Sequence, residues 1–164
     1  MDFFLPILKA LSDSKIRYLV AGGLATVLHG HMRLTGDIDI ILDLEDENCK
    51  KALTILNSLG FKPRAPVPIM DFADPKRRAS WIKEKGLKVF SLCATSEFPI
   101  EVDIFAESPF PFKLLWDNSV SKNIGDISVK VLSIAHLIQL KKMAGRPQDL
   151  EDIKALEVID SERK

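Results

Sequence analysis

Two aspartates one residue apart are the first residues in the sequence that could do chemistry. Asp37 and Asp39 flank Ile38, and residues 40–42 continue as Ile-Ile-Leu. In a strand, alternate side chains share a face, so both carboxylates would point the same way, about 7 Å apart. Such carboxylates repel each other unless cations lie between them, and carboxylate oxygens of this kind suit Mg²⁺. We therefore predict a strand that binds Mg²⁺ through Asp37 and Asp39.

A pair of glycines precedes these acids, between a short apolar run and a stretch with helical spacing. Residues 18–21 have the composition of a buried strand, which stops at Gly22 and Gly23. Apolar residues within 24–28 then recur as in a helix. A glycine turn at a helix N-terminus leaves backbone N–H groups free, and the helix dipole favours an anion there. The pattern predicts a phosphate-binding turn.

The order strand, Gly-Gly, helix and Asp-x-Asp resembles the nucleotidyltransferase superfamily that includes DNA polymerase beta. The small AbiEii-type branch, known from bacterial abortive-infection and toxin systems, is more closely similar. The resemblance to this branch rests on two runs. The first contains Gly22-Gly23-x-Ala25, then His29-Gly30, then Arg33-x-Thr35-x-Asp37-Ile38-Asp39. The second is Leu137-Ile138-x-Leu140-Lys141-x-x-Ala144-Gly145-Arg146-Pro147-x-Asp149-Leu150-Glu151-Asp152-Ile153. The middle of the chain, about 49–98, matches no motif of this branch.

The resemblance implies a third metal-binding acid, on a strand next to the Asp-x-Asp strand. Asp103 fits, because residues 99–105 alternate as in a strand with Asp103 and Glu101 on one face. We favour Asp103, whose shorter side chain holds a ligand more rigidly, and Glu101 is the alternative. Together with Asp37 and Asp39 it would hold two Mg²⁺ ions, which can lower the pKa of an attacking hydroxyl.

Basic and hydroxyl side chains near both motifs are candidates for nucleotide binding. Lys141 could reach a triphosphate as a point charge, although a helix C-terminus also favours lysine through its dipole. The resemblance favours Lys141 over Lys142. Arg33 and Thr35 just precede the acids and would either contact nucleotide or orient the loop.

Other polar clusters have simpler interpretations. Asp149 and Asp152 open the last predicted helix, where we expect capping or tethering groups. His29 and His31 diverge and have no third ligand nearby, so we expect no zinc site. A basic cluster at 76–88 fits either a solvated helix face or a nucleic-acid contact, in which Trp81 would pack on the core or stack on a base.

Bulk properties limit the choice of class. The chain has 164 residues, 46% of them apolar, and a formal net charge of zero. We expect one nucleotidyltransferase-like domain, with a catalytic core at 1–131 and a helical extension at 132–164.

The formal net charge of zero means that any contact with nucleic acid must come from a local patch of basic residues. Cys49 and Cys93 show no disulfide or zinc spacing, which favours the cytoplasm, and no apolar run is long enough to cross a membrane.

Periodicity and turn residues predict the elements of an α/β (α+β) fold, and the resemblance implies their arrangement as a mixed twisted sheet flanked by helices, with the C-terminal helices over the site. Helices are predicted at 4–11, from 43–47 to Gly60, at 75–85, at 134–144 and from 147 onward. Strands are predicted at 18–21, 37–42, 87–94 and 99–105, with a turn at 95–98 and a hairpin at 120–131. Residues 61–68 are predicted as a loop or edge strand, and residues 108–112 as a loop.

The resulting hypothesis is transfer of a nucleoside monophosphate from an NTP to a hydroxyl. By resemblance, the acceptor would be tRNA, other RNA or a protein, and the protein would be a toxin with a cognate antitoxin. A second hypothesis is a non-catalytic nucleotide-binding module, or a subunit that needs a partner. A third is a phosphotransfer or antibiotic-modifying enzyme, which requires a small-molecule pocket that the sequence does not locate.

Overall fold

The computed structural model describes residues 3–94 and 100–164. Within this part of the chain, the helices are α1 (Leu5–Asp13), α2 (Gly22–His29), α3 (Asp46–Ser58), α4 (Pro75–Lys85), α5 (Phe112–Asp117), α6 (Ile134–Ala144) and α7 (Pro147–Glu162). The strands are β1 (Tyr18–Ala21), β2 (Asp37–Leu42), β3 (Phe61–Pro63), β4 (Val89–Ala94), β5 (Ile100–Phe105), β6 (Val120–Ile124) and β7 (Ile127–Val131).

The seven strands form one mixed sheet in the order β3-β4-β5-β2-β1-β7-β6. β2 pairs with β5 in parallel, and β1 pairs with β7 in parallel. The other neighbouring pairs are antiparallel. Seven helices flank this sheet, so the predicted α/β class and the mixed sheet are confirmed.

The strand that carries the aspartate pair lies in the middle of the sheet. Its residues Ile38 and Ile40 are fully buried, as are Val102 and Ile104 opposite them on β5. Because side chains alternate along a strand, the acids between these apolar residues share the other face. Burial of the apolar face therefore decides which face the acids occupy.

The two C-terminal helices, α6 and α7, pack against α2, the helix that begins at the glycine pair. α6 packs against α7, and α2 contacts both of them. Ser133 caps α6 through the backbone N–H of His136, at 3.4 Å, and Gly145 ends the helix in a left-handed conformation. Pro147 then begins α7, so both predicted C-terminal helices are confirmed.

The main differences from the sequence prediction are short elements in proline-containing segments. Residues Ile69–Ala73 form a 3-10 helix, and α5 begins directly after Pro111, where only a loop was predicted as far as residue 112. Residues Phe61–Pro63 form an edge strand, one of the two states predicted for that segment.

The predicted turn at 95–98 lies outside the described residues. Among the described helices, none has the length and apolar character that crossing a membrane requires.

The buried face of the sheet gives a direct test of the fold. Leu92 on β4 is fully buried, whereas Leu34 is 97% exposed. Leu92→Ala should reduce the free energy of unfolding by about 2–5 kcal/mol, because it leaves a cavity in the core. Leu34→Ala, the matched control, should change it by less than about 0.5 kcal/mol. Urea unfolding measures both, and similar losses in the two variants would contradict this arrangement of the core.

Candidate active site

The carboxylates predicted to bind metal lie on two adjacent parallel strands. In the register of β2 and β5, Asp39 lies opposite Asp103, and Asp37 lies opposite Glu101. All four side chains therefore share one face of the sheet. The structure brings Asp37, Asp39 and Asp103 to the wall of a single cavity.

Crowding of negative charge makes this face electrostatically unfavourable without cations. Burial, followed by the charges of Asp103 and Asp37, raises the pKa of Asp39 to about 6, against opposing effects of Arg146 and Lys141. The Oδ1 atom of Asp103 is buried and has no hydrogen-bond partner among the described residues. A buried carboxylate oxygen without a partner is costly, and a bound cation would remove this cost.

The structure separates the two competing acids of β5. Glu101 accepts a hydrogen bond from the guanidinium of Arg64 at 2.8 Å, in an ion pair at the edge of the site. Asp103 has an unpartnered oxygen instead and lies beside Asp39. The geometry therefore supports Asp103 as the third ligand, and its role stays a prediction.

The glycine turn lies directly against the acids. Gly22 has φ of +60°, and a Cβ atom placed there would collide with the Asp39 carboxylate. A Cβ atom on Gly23 would lie 2.8 Å from Thr35 Oγ1 and 3.3 Å from Arg33 Cζ. The positive φ and the collision with Asp39 both require glycine at position 22. The N-cap residue of α2, Ala21, makes no side-chain cap hydrogen bond, so this helix start can present its first N–H groups to an anion.

Two buried aspartates of α7 position the cations of the site. Asp152 accepts hydrogen bonds from Lys141 Nζ at 2.6 Å and from Arg33 at 2.5 Å. Asp149 lies 3.5 Å from Lys141 Nζ and accepts a hydrogen bond from Arg146 Nε at 2.9 Å. Burial alone would raise the pKa of Asp152, but Lys141 and Arg33 outweigh it and lower that pKa. Asp149 and Asp152 are therefore tethers, and Asp149 also has the expected capping role, because it accepts a hydrogen bond from the backbone N–H of Arg146 at 3.1 Å.

These groups surround a polar cavity of about 190 Å³. Every predicted site residue except Gly22 lines it, namely Gly23, Arg33, Thr35, Asp37, Asp39, Asp103 and Lys141. The sequence analysis did not assign a site role to Arg146, Gln148 and Asp149, which also line it. The sequence does contain a signal for a site role of Arg146 and Asp149, because both residues belong to the C-terminal run that resembles the AbiEii-type branch. Gly22 lines a larger cleft of about 740 Å³ that adjoins this cavity at Asp39 and Lys141.

A metal would have to complete this site together with substrate. Among the described residues, no three His, Cys, Asp or Glu side chains form a ready metal-binding cluster. Mg²⁺ usually takes one or two carboxylates plus substrate phosphates and waters rather than a cage of protein ligands. The unpartnered oxygen of Asp103 and the raised pKa of Asp39 fit such a partly assembled site.

His29 and several residues of the basic cluster at 76–88 make structural contacts. His29 is buried, its Nε2 lies 2.8 Å from the carbonyl oxygen of Leu132, and burial lowers its pKa. His31 Nε2 lies 3.7 Å from Asp152. In the basic cluster, Arg77 forms an ion pair with Asp71 at 2.6 Å, and Arg78 is buried against Phe72. Trp81 stacks on Phe90, so it packs on the core, one of its two predicted roles.

The raised pKa of Asp39 predicts a pH-dependent gain in stability for Asp39→Asn in metal-free solution. The penalty on folding develops between about pH 4, where the carboxyl ionises in the unfolded chain, and its folded pKa of about 6, and replacing the carboxylate removes this penalty. We expect a gain of about 1–3 kcal/mol above roughly pH 7, which vanishes below roughly pH 4, where the carboxyl is protonated in both states.

Thermal unfolding in EDTA across this pH range measures the effect. Glu84→Gln, at an exposed position of α4, is the control and should show no comparable gain. A loss of stability at neutral pH for Asp39→Asn would contradict the electrostatic description.

Comparison with solved structures identifies the fold. The chain is similar to the lincosamide antibiotic adenylyltransferase LnuA with lincomycin bound, at a TM-score of 0.63 and 19% identity over 96% of each chain. It is also similar to a putative nucleotidyltransferase (TM1012) from Thermotoga maritima, at a TM-score of 0.59 and 18% identity over 94% of this chain and 89% of the other.

A third similar structure is ANT(2″)-Ia in complex with adenylyl-2″-tobramycin, at a TM-score of 0.59 and 14% identity over 98% of this chain and 94% of the other. No protein-family model and no curated protein matches the chain. The AbiEii-type branch therefore stays a prediction from the sequence motifs. At these identities the similarity establishes the fold, and that fold is the nucleotidyltransferase fold.

Proposed function

We propose that this protein transfers a nucleoside monophosphate from an NTP to a hydroxyl group and releases pyrophosphate. The observation that carries this proposal is the polar cavity, where the carboxylates of β2 and β5 face the glycine turn and Lys141. The carboxylates of β2 and β5 suit metal ions, and the glycine turn and Lys141 suit phosphates. The fold of known nucleotidyltransferases agrees with this function, although fold alone does not establish it.

The chain's own residues provide binding and orientation. The N–H groups at Gly23, together with Lys141 and Arg33, would bind the triphosphate at the start of α2. Asp37, Asp39 and Asp103 would hold Mg²⁺. Bound Mg²⁺ would neutralise phosphate charge and lower the pKa of the attacking hydroxyl.

Transfer then follows an in-line displacement. The acceptor oxygen forms a bond to the α-phosphorus, the bond from that phosphorus to the bridging oxygen of the β-phosphate breaks, and the hydroxyl proton passes to solvent water. The acceptor hydroxyl would approach from the side of Asp103. Lys141 and Arg33 would stabilise the charge that develops on the departing pyrophosphate, because both are already held in place by Asp152.

The acceptor has two candidate classes. The sequence motifs favour RNA, including tRNA, or a protein, with a toxin role and a cognate antitoxin as partner. The solved structures favour a small hydroxylated molecule, because LnuA is an antibiotic adenylyltransferase with lincomycin bound and ANT(2″)-Ia carries adenylylated tobramycin. In this protein, Arg77 and Arg78 are already engaged by Asp71 and Phe72, which weakens α4 as an RNA-binding surface.

Labelling distinguishes these classes and the non-catalytic alternative. The protein is incubated with each α-labelled NTP, Mg²⁺, and separate RNA, protein and small-molecule fractions of a cell extract. We expect label in one fraction, together with an equal amount of pyrophosphate. Binding of NTP without label in any fraction would favour the nucleotide-binding module.

Substitutions on β5 test which acid acts at the metal. Asp103→Asn should abolish transfer, at least about a thousandfold, and change NTP affinity by less than about threefold, since it removes an interaction specific to the transition state. Glu101→Gln is the matched control on the same face, and it should keep most activity because Glu101 is paired with Arg64.

Single-turnover transfer and NTP titration are measured for both variants. An inactive Glu101→Gln with an active Asp103→Asn would reverse the assignment of the two acids. Two fully active variants would show that β5 takes no part in the chemistry.

A further inference from the structure

A large cleft opens beside the polar cavity, between the sheet and the last part of α6. Val89 of β4 and Phe105 of β5 lie on the sheet side, and Leu137 and Leu140 lie on the α6 side. Its volume is about 740 Å³, within the range of about 300–1,000 Å³ that is typical of small-molecule sites. The polar cavity, at about 190 Å³, is too small to hold an organic ligand of nucleotide size by itself.

The walls of this cleft are mainly apolar and continue the face that carries the acids. Val89 and Phe105 are directly opposite each other in the register of β4 and β5. Phe105 lies two residues beyond Asp103, so both side chains share a face. The exposed residues Lys88 and Glu107 contribute charge to the lining. An aromatic ring would therefore meet apolar surface along most of the cleft.

The cleft and the polar cavity share part of their lining, at Asp39, Lys141, Arg146 and Asp149. A nucleotide has the same two-part character, with a charged phosphate chain joined to an aromatic base. Asp103 lines the polar cavity and not the cleft. An acceptor hydroxyl at Asp103 would consequently approach from outside the cleft, which leaves the cleft to the other part of the NTP.

We propose that this cleft binds the nucleoside of the NTP and selects purine over pyrimidine nucleotides. The inference rests on the proposed function, because it takes the polar cavity as the triphosphate site. A purine has the larger ring system and buries more apolar area against Val89, Phe105 and Leu140. Phe105 adds a ring that can make offset or edge contacts with the base. Purine NTPs should bind about fivefold to tenfold more tightly than pyrimidine NTPs.

The first experiment measures binding without any acceptor. Calorimetric titration with Mg²⁺ compares ATP, GTP, CTP and UTP with inorganic tripolyphosphate, which has the phosphate chain and no nucleoside. We expect both purine NTPs to bind more tightly than both pyrimidine NTPs, and tripolyphosphate to bind most weakly.

The second experiment fills the cleft from an exposed position. Ala144 lines the cleft near the end of α6, so Ala144→Phe places a ring in it. This variant should lower ATP and GTP affinity at least about tenfold, towards that of tripolyphosphate, with tripolyphosphate affinity unchanged. Ala135→Phe makes the same substitution at an exposed position of α6 that does not line the cleft, and it should change neither affinity.

The possible outcomes are distinguishable. Unchanged ATP affinity in Ala144→Phe, with or without reduced labelling of an acceptor, would overturn the assignment of the cleft to the nucleoside. An equal loss of tripolyphosphate affinity would do the same, because the effect would not be confined to the cleft. Equal affinities for the four NTPs would overturn purine selection. If neither NTPs nor tripolyphosphate bind, the proposed function itself fails.

Discussion

Negative charge concentrated on one face of the sheet constrains the rest of the site. The apolar side chains of Ile38 and Ile104 are fully buried on the opposite face, so a slip of one residue would place acids in the core. The parallel register then places Asp39 opposite Asp103. Within residues 3–94 and 100–164, Asp103 Oδ1 has no hydrogen-bond partner that would offset this unfavourable arrangement. Such a cost is typical of functional sites, where charge is organised for a ligand.

The opposite charge is supplied by groups that the protein fixes in advance. Asp152 is fully buried and holds Lys141 and Arg33 beside the cavity. The bond to Asp152 ties the loop of Arg33 to α7, whereas the neighbours Met32 and Leu34 are 92% and 97% exposed. Cations fixed in this way need little reorganisation when a triphosphate binds, which is the basis of electrostatic preorganisation. Asp149 and Asp152 also offset part of the charge of these cations while no substrate is bound.

Local pattern was sufficient to predict the elements that carry the acids. The alternation of β2 and β5 and the glycine turn before α2 depend on neighbouring residues, and the structure confirms those elements. α5 and the 3-10 helix Ile69–Ala73 were not predicted, because they are short, lie next to prolines and depend on packing.

The tethering by Asp152 and the large cleft involve segments far apart in the sequence. Arg33 and Asp152 are separated by 119 positions, and the cleft joins residues of α4, β4, β5 and α6. Charge pairing and cavities of this kind follow from the three-dimensional packing of elements, which sequence periodicity does not specify. The ion pair between Glu101 and Arg64, which supports Asp103 over Glu101 as the third ligand, likewise joins residues 37 positions apart.

We propose that the crowded carboxylates and the fixed cations together form a site for Mg²⁺ and NTP. The most direct measurement is the melting temperature in EDTA, with Mg²⁺ alone, with NTP alone and with both. We expect the largest increase with both ligands, beyond the sum of the separate effects, because each ligand neutralises charge that opposes binding of the other. Equal melting temperatures under the four conditions at saturating concentrations would contradict the claim.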